Sequence, residues 1–164
     1  MVAGTYTGKL VLWGIQNRSV LRTIDAHSGS IYSLKKINSS LIASAGQDEV
    51  IKLWRMPNGQ ELMTLLGHDD YIWALEVFNN EFLISGSSDK SIMLWNINTR
   101  QLVLAKSDAH EDYVNCLKIL NNGKLASGSK DKTIKFWNPS NLLLLVTINS
   151  IDEVYISKND IYKL

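Results

Sequence analysis

Two stretches of the chain, Ile42-Ala-Ser-Ala-Gly-Gln-Asp-Glu-Val-Ile-Lys-Leu-Trp54 and Leu125-Ala-Ser-Gly-Ser-Lys-Asp-Lys-Thr-Ile-Lys-Phe-Trp137, are copies of one pattern. Each has a small apolar start, a polar turn with an Asp, and an alternating run that ends on Trp. Trp13 and Trp95 extend the series, so that its four tryptophans lie 41, 41 and 42 residues apart, and the fifth, Trp73, falls outside it. A fixed period of this length predicts a repeat architecture.

Three other residue types keep step with the tryptophan. In each full unit a His precedes the Trp by 27 residues, a Ser precedes it by 10 and an Asp by 6. One match would mean little, but three residue types at fixed offsets in three units are a strong signal. The set is His27, Ser44, Asp48 and Trp54; His68, Ser85, Asp89 and Trp95; and His110, Ser127, Asp131 and Trp137.

Each unit is predicted to form four short strands. In one unit, runs of β-forming residues begin at Tyr71, Phe82, Ser91 and Gln101, and Asn, Gly, Asp and Ser separate them. Such runs are typical of strands linked by hairpin turns. No helical periodicity is present, so the chain is expected to be all-β.

Composition excludes several classes of protein. Hydrophobic residues make up 45% of the 164 residues and the formal net charge is +1, so we expect neither nucleic-acid nor membrane binding. The N-terminus carries no pattern of a signal peptide. The one cysteine, Cys116, cannot form an internal disulfide, which favours a reducing compartment and a cytoplasmic location, with the nucleus also open.

These motifs, together with the Gly67-His68 pair, resemble the WD-repeat family. The resemblance implies a β-propeller in which each unit is a four-stranded blade. We expect a partial blade over 1–26, blades over 27–67, 68–109 and 110–149, and the start of a further blade over 150–164. The residue after each Trp is Gly14, Arg55, Asn96 or Asn138 and never Asp, but this position varies freely in the motif.

The two ends hold complementary parts of one blade. Thr7 and Ala3 stand where the first unit would have its Asp and Ser, and Glu153-Val-Tyr-Ile-Ser begins a new inner strand. The chain is therefore expected to contain about four blades, three complete and one divided between its ends. The rings of this family usually have more blades. The chain is therefore expected to be part of a larger ring, to pair with another chain, or to close alone, in that order. An open arc would expose strand edges and favour self-association.

A catalytic, metal or cofactor role is not expected. A nucleophile site is one asymmetric constellation, whereas the His–Ser–Asp set recurs three times in one register. The three histidines are a full repeat apart and paired cysteines are absent, which argues against zinc. By resemblance, the His, Ser, Asp and Trp of each blade form a buried hydrogen-bond chain with a structural role.

The resemblance also implies a partner-binding face at the narrow end of the propeller. The residues it places there are Ser30, Tyr32, Gln47, Tyr71, Trp73, Ser88, Tyr113, Asn115, Lys130 and Tyr155, with Glu153 next to the last. Trp73 is either a packing residue between blades or a surface anchor. Asp69, Asp70, Glu111 and Asp112 are either ordinary solvated loop residues or an acidic rim suited to a Lys- or Arg-containing peptide. Only Lys130 is basic, so phosphate recognition is not favoured.

The sequence therefore predicts a non-catalytic scaffold or adaptor that binds a protein or peptide through the propeller face. The alternative is a purely architectural piece of a larger propeller or coat with no ligand site of its own. Fold alone does not decide between the two.

Overall fold

A computed structural model describes residues 1–149 as fifteen antiparallel strands in four sheets. None of the described residues forms a helix that is long and apolar enough to cross a membrane. Three sheets have four strands each, and the first has three. The expected all-β fold, with one sheet for each repeat, is confirmed.

Each sheet takes its strands from one continuous part of the chain. The first contains β1 (Val2–Gly4), β2 (Lys9–Gly14) and β3 (Ser19–Asp25), and the second contains β4 (Ile31–Lys36), β5 (Leu41–Gly46), β6 (Ile51–Arg55) and β7 (Gln60–Leu65). The third contains β8 (Ile72–Val77), β9 (Phe82–Ser87), β10 (Ile92–Asn96) and β11 (Gln101–Lys106). The fourth contains β12 (Val114–Ile119), β13 (Leu125–Ser129), β14 (Thr133–Asn138) and β15 (Leu143–Asn149).

Turn geometry repeats with the sequence. The residue after each turn Asp (Glu49, Lys90 and Lys132) has φ of 66°, 70° and 66°, in the left-handed region. Gly59 (φ 64°) opens the outer hairpin of the second sheet, and a Cβ there would lie 2.2 Å from Ile24 Cδ1. Glycine suits that position because residues with a side chain rarely adopt this left-handed φ, whereas the Ile24 methyl is the end of a flexible side chain.

The sheets pack in chain order, and each pair of neighbours shares one hydrophobic cluster. Trp54 of the second sheet is buried with Leu10 and Ala26, which belong to the first sheet and to the segment that follows it. Trp95 of the third sheet lies in the cluster with Leu53 and other residues of the second. Every internal sheet therefore has one apolar face toward the preceding sheet and another toward the following one.

The first sheet has no inner strand among the described residues, so its β1 edge is unpaired. A groove of 740 Å³ lies beside that edge, lined by Val2, Ile31, Leu34 and other residues of β1 and β4. The expected inner strand that starts near Glu153 falls outside the described residues. Residues 1–149 thus form an open arc of propeller sheets.

Candidate functional site

The repeated polar residues of the second sheet form one hydrogen-bonded chain. The Trp54 indole N–H donates to Ser44 Oγ at 2.8 Å, and Ser44 Oγ lies 2.6 Å from His27 Nε2. His27 Nδ1 lies 2.7 Å from Asp48 Oδ1. Because the indole can only donate, the hydroxyl donates onward to Nε2, and Nδ1–H donates to the carboxylate.

The third and fourth sheets repeat this chain with the same atoms. The Ser-to-His distance is 2.7 Å in both sheets, the Trp-to-Ser distance is 2.8 Å in both, and the His-to-Asp distances are 2.6 and 2.9 Å. All three imidazole side chains are fully buried. The residues joined in this way are His68, Ser85, Asp89 and Trp95, and His110, Ser127, Asp131 and Trp137.

Each chain also joins two loops at one end of its sheet. The backbone N–H of the residue after the His donates to the Asp, from Ser28 at 3.1 Å, Asp69 at 3.1 Å and Glu111 at 2.9 Å. The loop entering the inner strand is therefore fixed to the turn between the second and third strands of its sheet. The polar chain positions the loops that carry the predicted face.

A further hydroxyl belongs to two of the three chains, and the sequence analysis did not include it. Ser91 Oγ donates to Asp89 Oδ1 at 2.6 Å, and Thr133 Oγ1 donates to Asp131 Oδ1 at 2.7 Å. Both residues follow the turn Asp by two positions, where the second sheet has Val50. The sequence signal for this contact was a hydroxyl residue two positions after the turn Asp, which two of the three units have and the other lacks.

The pKa shifts follow from burial and these hydrogen bonds. Burial lowers the pKa of His27 and of His110, although their carboxylate partners oppose the shift. Burial raises the pKa of Asp131, but hydrogen bonds from Thr133, the Glu111 N–H and His110 outweigh it and bring the pKa to about 2. A neutral imidazole buried beside an ionised carboxylate fits a structural link, because no substrate can reach the ring.

Three aromatic side chains of the predicted face come together across two neighbouring sheets. Tyr32 of β4 stacks on Trp73 of β8, with ring centroids 4.3 Å apart and planes 14° from parallel. Tyr71 lies 6.2 Å from Tyr32, and the Trp73 indole N–H donates to Ser88 Oγ at 2.7 Å. All three aromatic residues are half-buried. Trp73 therefore packs against the adjacent sheet while part of its surface stays exposed. It can be both a packing residue between blades and a surface anchor.

The other predicted face residues lie on both sides of this aromatic group. On one side, Gln47 Oε1 accepts a hydrogen bond from the Ser30 backbone N–H at 3.2 Å. On the other, Lys130 Nζ lies 4.9 Å from the centroid of the Tyr113 ring. Asn115 lines a cleft of 260 Å³ together with Tyr32 and Trp73. Tyr155 and Glu153 lie outside the described residues.

The four acidic residues divide into two kinds. Asp70 and Asp112 are half-buried, and each carboxylate accepts the N–H of the following tyrosine, at 2.7 and 2.8 Å. Asp69 and Glu111 are exposed. Two of the four carboxylates thus accept a local backbone hydrogen bond, and the other two belong to exposed residues.

A charged pair that the sequence analysis missed lies on the inner strands. Lys35 Nζ of β4 lies 2.7 Å from Glu76 Oε1 of β8. Glu76 is buried, and within the described part of the chain its Oε2 has no hydrogen-bond partner. Both residues line the same cleft as Asn115. The pair could be found only once the two strands were placed side by side.

No group of three or more His, Cys, Asp or Glu side chains within residues 1–149 is arranged to hold a metal ion. Cys116 is buried on β12. The arrangement of the described residues offers hydrogen bonds, aromatic surface and charge.

Comparison with known proteins places these features in a family. A family model described as "WD domain, G-beta repeat" matches residues 18–55, 59–96 and 102–138. A solved structure, "Crystal structure of WD40 beta propeller domain of Doa1", is 27% identical with a TM-score of 0.82. The match covers 97% of this chain and 54% of that one, so the chain spans about half the length of that structure. No curated protein matches.

Proposed function

Because this chain belongs to the family of WD domains with G-beta repeats, whose propellers typically serve as protein-interaction scaffolds, we propose that it is a non-catalytic scaffold. In this proposal it binds a protein or peptide partner through the end of the sheets where the His and Asp loops meet. The observation that carries the proposal is the stack of Tyr32 on Trp73, half-buried and placed across two sheets. Rigid aromatic surface of this kind is enriched among the residues that dominate binding energy.

The charges around the aromatic group favour a basic segment in the partner. Asp69 and Glu111 are exposed, and they stand in the loops that lead into β8 and β12. A lysine or arginine of a partner would meet carboxylates at the rim and aromatic faces beside it, where cation–π contacts add to the attraction. Lys130, over the Tyr113 ring, is the local exception. We propose a cytoplasmic location for the protein, with the nucleus also open.

The test measures fluorescence anisotropy of two labelled peptides, one with lysines at alternate positions and one with glutamates in their place. The lysine peptide should bind, and its affinity should fall as salt rises, because exposed charges are screened over about 8 Å at physiological ionic strength. The glutamate peptide should not bind. Trp73→Ala should weaken binding at least tenfold, since a buried aromatic anchor contributes about 2 kcal/mol or more.

Matched variants distinguish the effect of the acidic rim on affinity from the effect of the protein's net charge. Asp69→Asn should lower the affinity by at most about fivefold, because one exposed charge contributes roughly 0.2–1 kcal/mol. Glu81→Gln is the control, since Glu81 is exposed in the turn between β8 and β9 and outside the loops of the proposed site. Equal affinity of wild type and Trp73→Ala, with both folded by circular dichroism, would refute the proposal and leave the architectural role.

A further inference from the structure

Three neighbouring inner strands bring three charged side chains to one level. Lys35 of β4, Glu76 of β8 and Lys118 of β12 lie 41 and 42 residues apart, so they hold one position of the repeat. The residues three positions earlier hold another shared position, and they are Tyr32, Trp73 and Asn115. All six residues line the cleft of 260 Å³. The cleft therefore joins the aromatic stack of the predicted face to a charged row further along the same strands.

The two carboxylate oxygens of Glu76 have different surroundings. Oε1 lies 2.7 Å from Lys35 Nζ and accepts the Val77 backbone N–H at 3.0 Å. Oε2 has no hydrogen-bond partner within the described part of the chain, and the side chain is 8% exposed. The inner strands β4 and β12 contact β8 from both sides, so this burial does not depend on the ends of the arc. Because buried polar atoms of native proteins nearly always have a partner, Oε2 requires a donor from outside the described residues.

The charges of the cleft decide which donor is suited to it. Its charged side chains among the described residues are Lys35, Glu76 and Lys118, two positive and one negative. A cation that bonds to Oε2 would meet the lysines at close range, and an anion would be repelled by Oε2 itself. A neutral group with both a donor and an acceptor avoids both repulsions. The primary carboxamide is such a group, since its NH2 donates and its carbonyl oxygen accepts.

The cleft has a fixed shape and enough room for such a group. The Leu75 backbone N–H of β8 donates to Ser33 Oγ of β4 at 3.1 Å, and the Lys35–Glu76 pair joins the same two strands. The cleft volume is 260 Å³, whereas one water occupies about 30 Å³ in the liquid. Polar groups held on packed strands lose little freedom on binding, which favours a specific ligand.

We propose that this cleft binds a carboxamide side chain, from Gln or Asn, of the protein partner. The NH2 group donates to Glu76 Oε2, and the carbonyl oxygen accepts from the donors that Lys35 and Asn115 supply. This inference rests on the proposed function, because the segment that contacts Trp73 would carry the carboxamide into the adjoining cleft. The partner segment then combines a basic residue for the acidic rim with a carboxamide residue for the cleft.

The test is an NMR titration of the isotope-labelled 164-residue chain with blocked amino acids that differ only in the side chain. The probe is N-acetyl-glutamine methylamide, and the comparison compounds carry glutamate, leucine or arginine. The glutamine probe should shift the Asn115 side-chain signal with a dissociation constant on the order of 1 mM, as expected for about 14 non-hydrogen atoms. The glutamate probe should bind at least about tenfold more weakly, because two carboxylates would face each other. The leucine and arginine probes should also bind more weakly than the glutamine probe.

Glu76→Gln should exchange the preference between the two probes. With a neutral side chain at this position, Lys35 has no carboxylate partner and the cleft is suited to an anion. The glutamate probe should then bind at least about fivefold more tightly than the glutamine probe. Glu61→Gln is the matched control, because Glu61 also pairs with a lysine, Lys52, but lies on the outer strand β7. It should keep the preference of wild type for glutamine, and circular dichroism should show that both variants are folded.

The outcomes separate this inference from the proposed function. No shift with the glutamine probe, or tighter binding of the leucine or arginine probe, would overturn the carboxamide site. An unchanged preference in folded Glu76→Gln, or loss of both probes there, would do so too. The proposed function survives these results if the lysine peptide still requires Trp73. If instead the glutamine probe binds and the lysine peptide does not, the cleft site stands and the proposed basic partner is refuted.

Discussion

Removing one buried hydroxyl should destabilise the fold much more than its size suggests. Ser85 Oγ lies 2.7 Å from His68 Nε2 and accepts the Trp95 indole N–H at 2.8 Å. Ser85 is fully buried and Trp95 is 2% exposed, so water cannot replace the hydroxyl without opening the sheet. Ser85→Ala leaves two buried polar groups without a partner.

The size of the effect follows from those two groups. Each unsatisfied buried donor or acceptor costs about 1–3 kcal/mol, so Ser85→Ala should lower the free energy of unfolding by roughly 2–6 kcal/mol. That is a large share of the total, about 5–15 kcal/mol, that is typical of a domain. His68→Ala, Asp89→Ala and Trp95→Phe should also destabilise the fold, whereas Arg55→Ala, at an exposed position just beyond a repeat Trp, should not.

The assay is equilibrium unfolding in urea, followed by circular dichroism at one fixed protein concentration because association adds to apparent stability. Ser39→Ala, at an exposed turn position, is the matched control. The reasoning fails if the midpoint of Ser85→Ala lies within error of this control. A double-mutant cycle of Ser85→Ala with Trp95→Phe should give a coupling of about 1 kcal/mol or more, since the two side chains share one bond.

Two further predictions concern charge. Stability should fall as pH drops below about 6.5, because the pKa of His110 is lowered in the folded state and the unfolded chain takes up the proton first. A second loss should follow as pH falls from about 3.8 toward the folded pKa of Asp131, about 2. Thermal melting from about pH 8 to about pH 2 checks both losses, and a flat profile would contradict them. Lys130→Ala should leave binding of the lysine peptide unchanged or slightly stronger, because it removes a cation from the Tyr113 ring. A clear loss of affinity in the anisotropy assay would contradict that.

The fold could be predicted because its determinants recur at fixed offsets. The His, Ser, Asp and Trp keep one spacing in each of the three full units, and such a spacing can be recognised without knowing how the sheets pack. The Tyr32–Trp73 stack could not be predicted, since it depends on the distance between neighbouring sheets. The same holds for the Lys35–Glu76 pair, whose members are separated along the chain by a whole repeat.

The predicted face was only partly defined by the sequence. The position in the repeat predicted that Asp69 and Asp70 lie in one loop. It did not predict that the two side chains have different surroundings. The Asp70 carboxylate accepts the Tyr71 backbone N–H, whereas Asp69 is exposed. Local hydrogen bonds of this kind depend on backbone direction, which a one-dimensional pattern does not contain.

The division of the core into clusters between neighbouring sheets has a consequence for folding. Each sheet is made of hairpins that are local in sequence, so a single sheet can form without distant parts of the chain. A sheet gains its tertiary stability only from the neighbour on either side, as in a linear array of coupled units. Within residues 1–149, the central two sheets have neighbours on both sides, and each end sheet has one. Amide hydrogens of β5 and β9 should therefore exchange with solvent last, and opening should begin at the two ends of the arc.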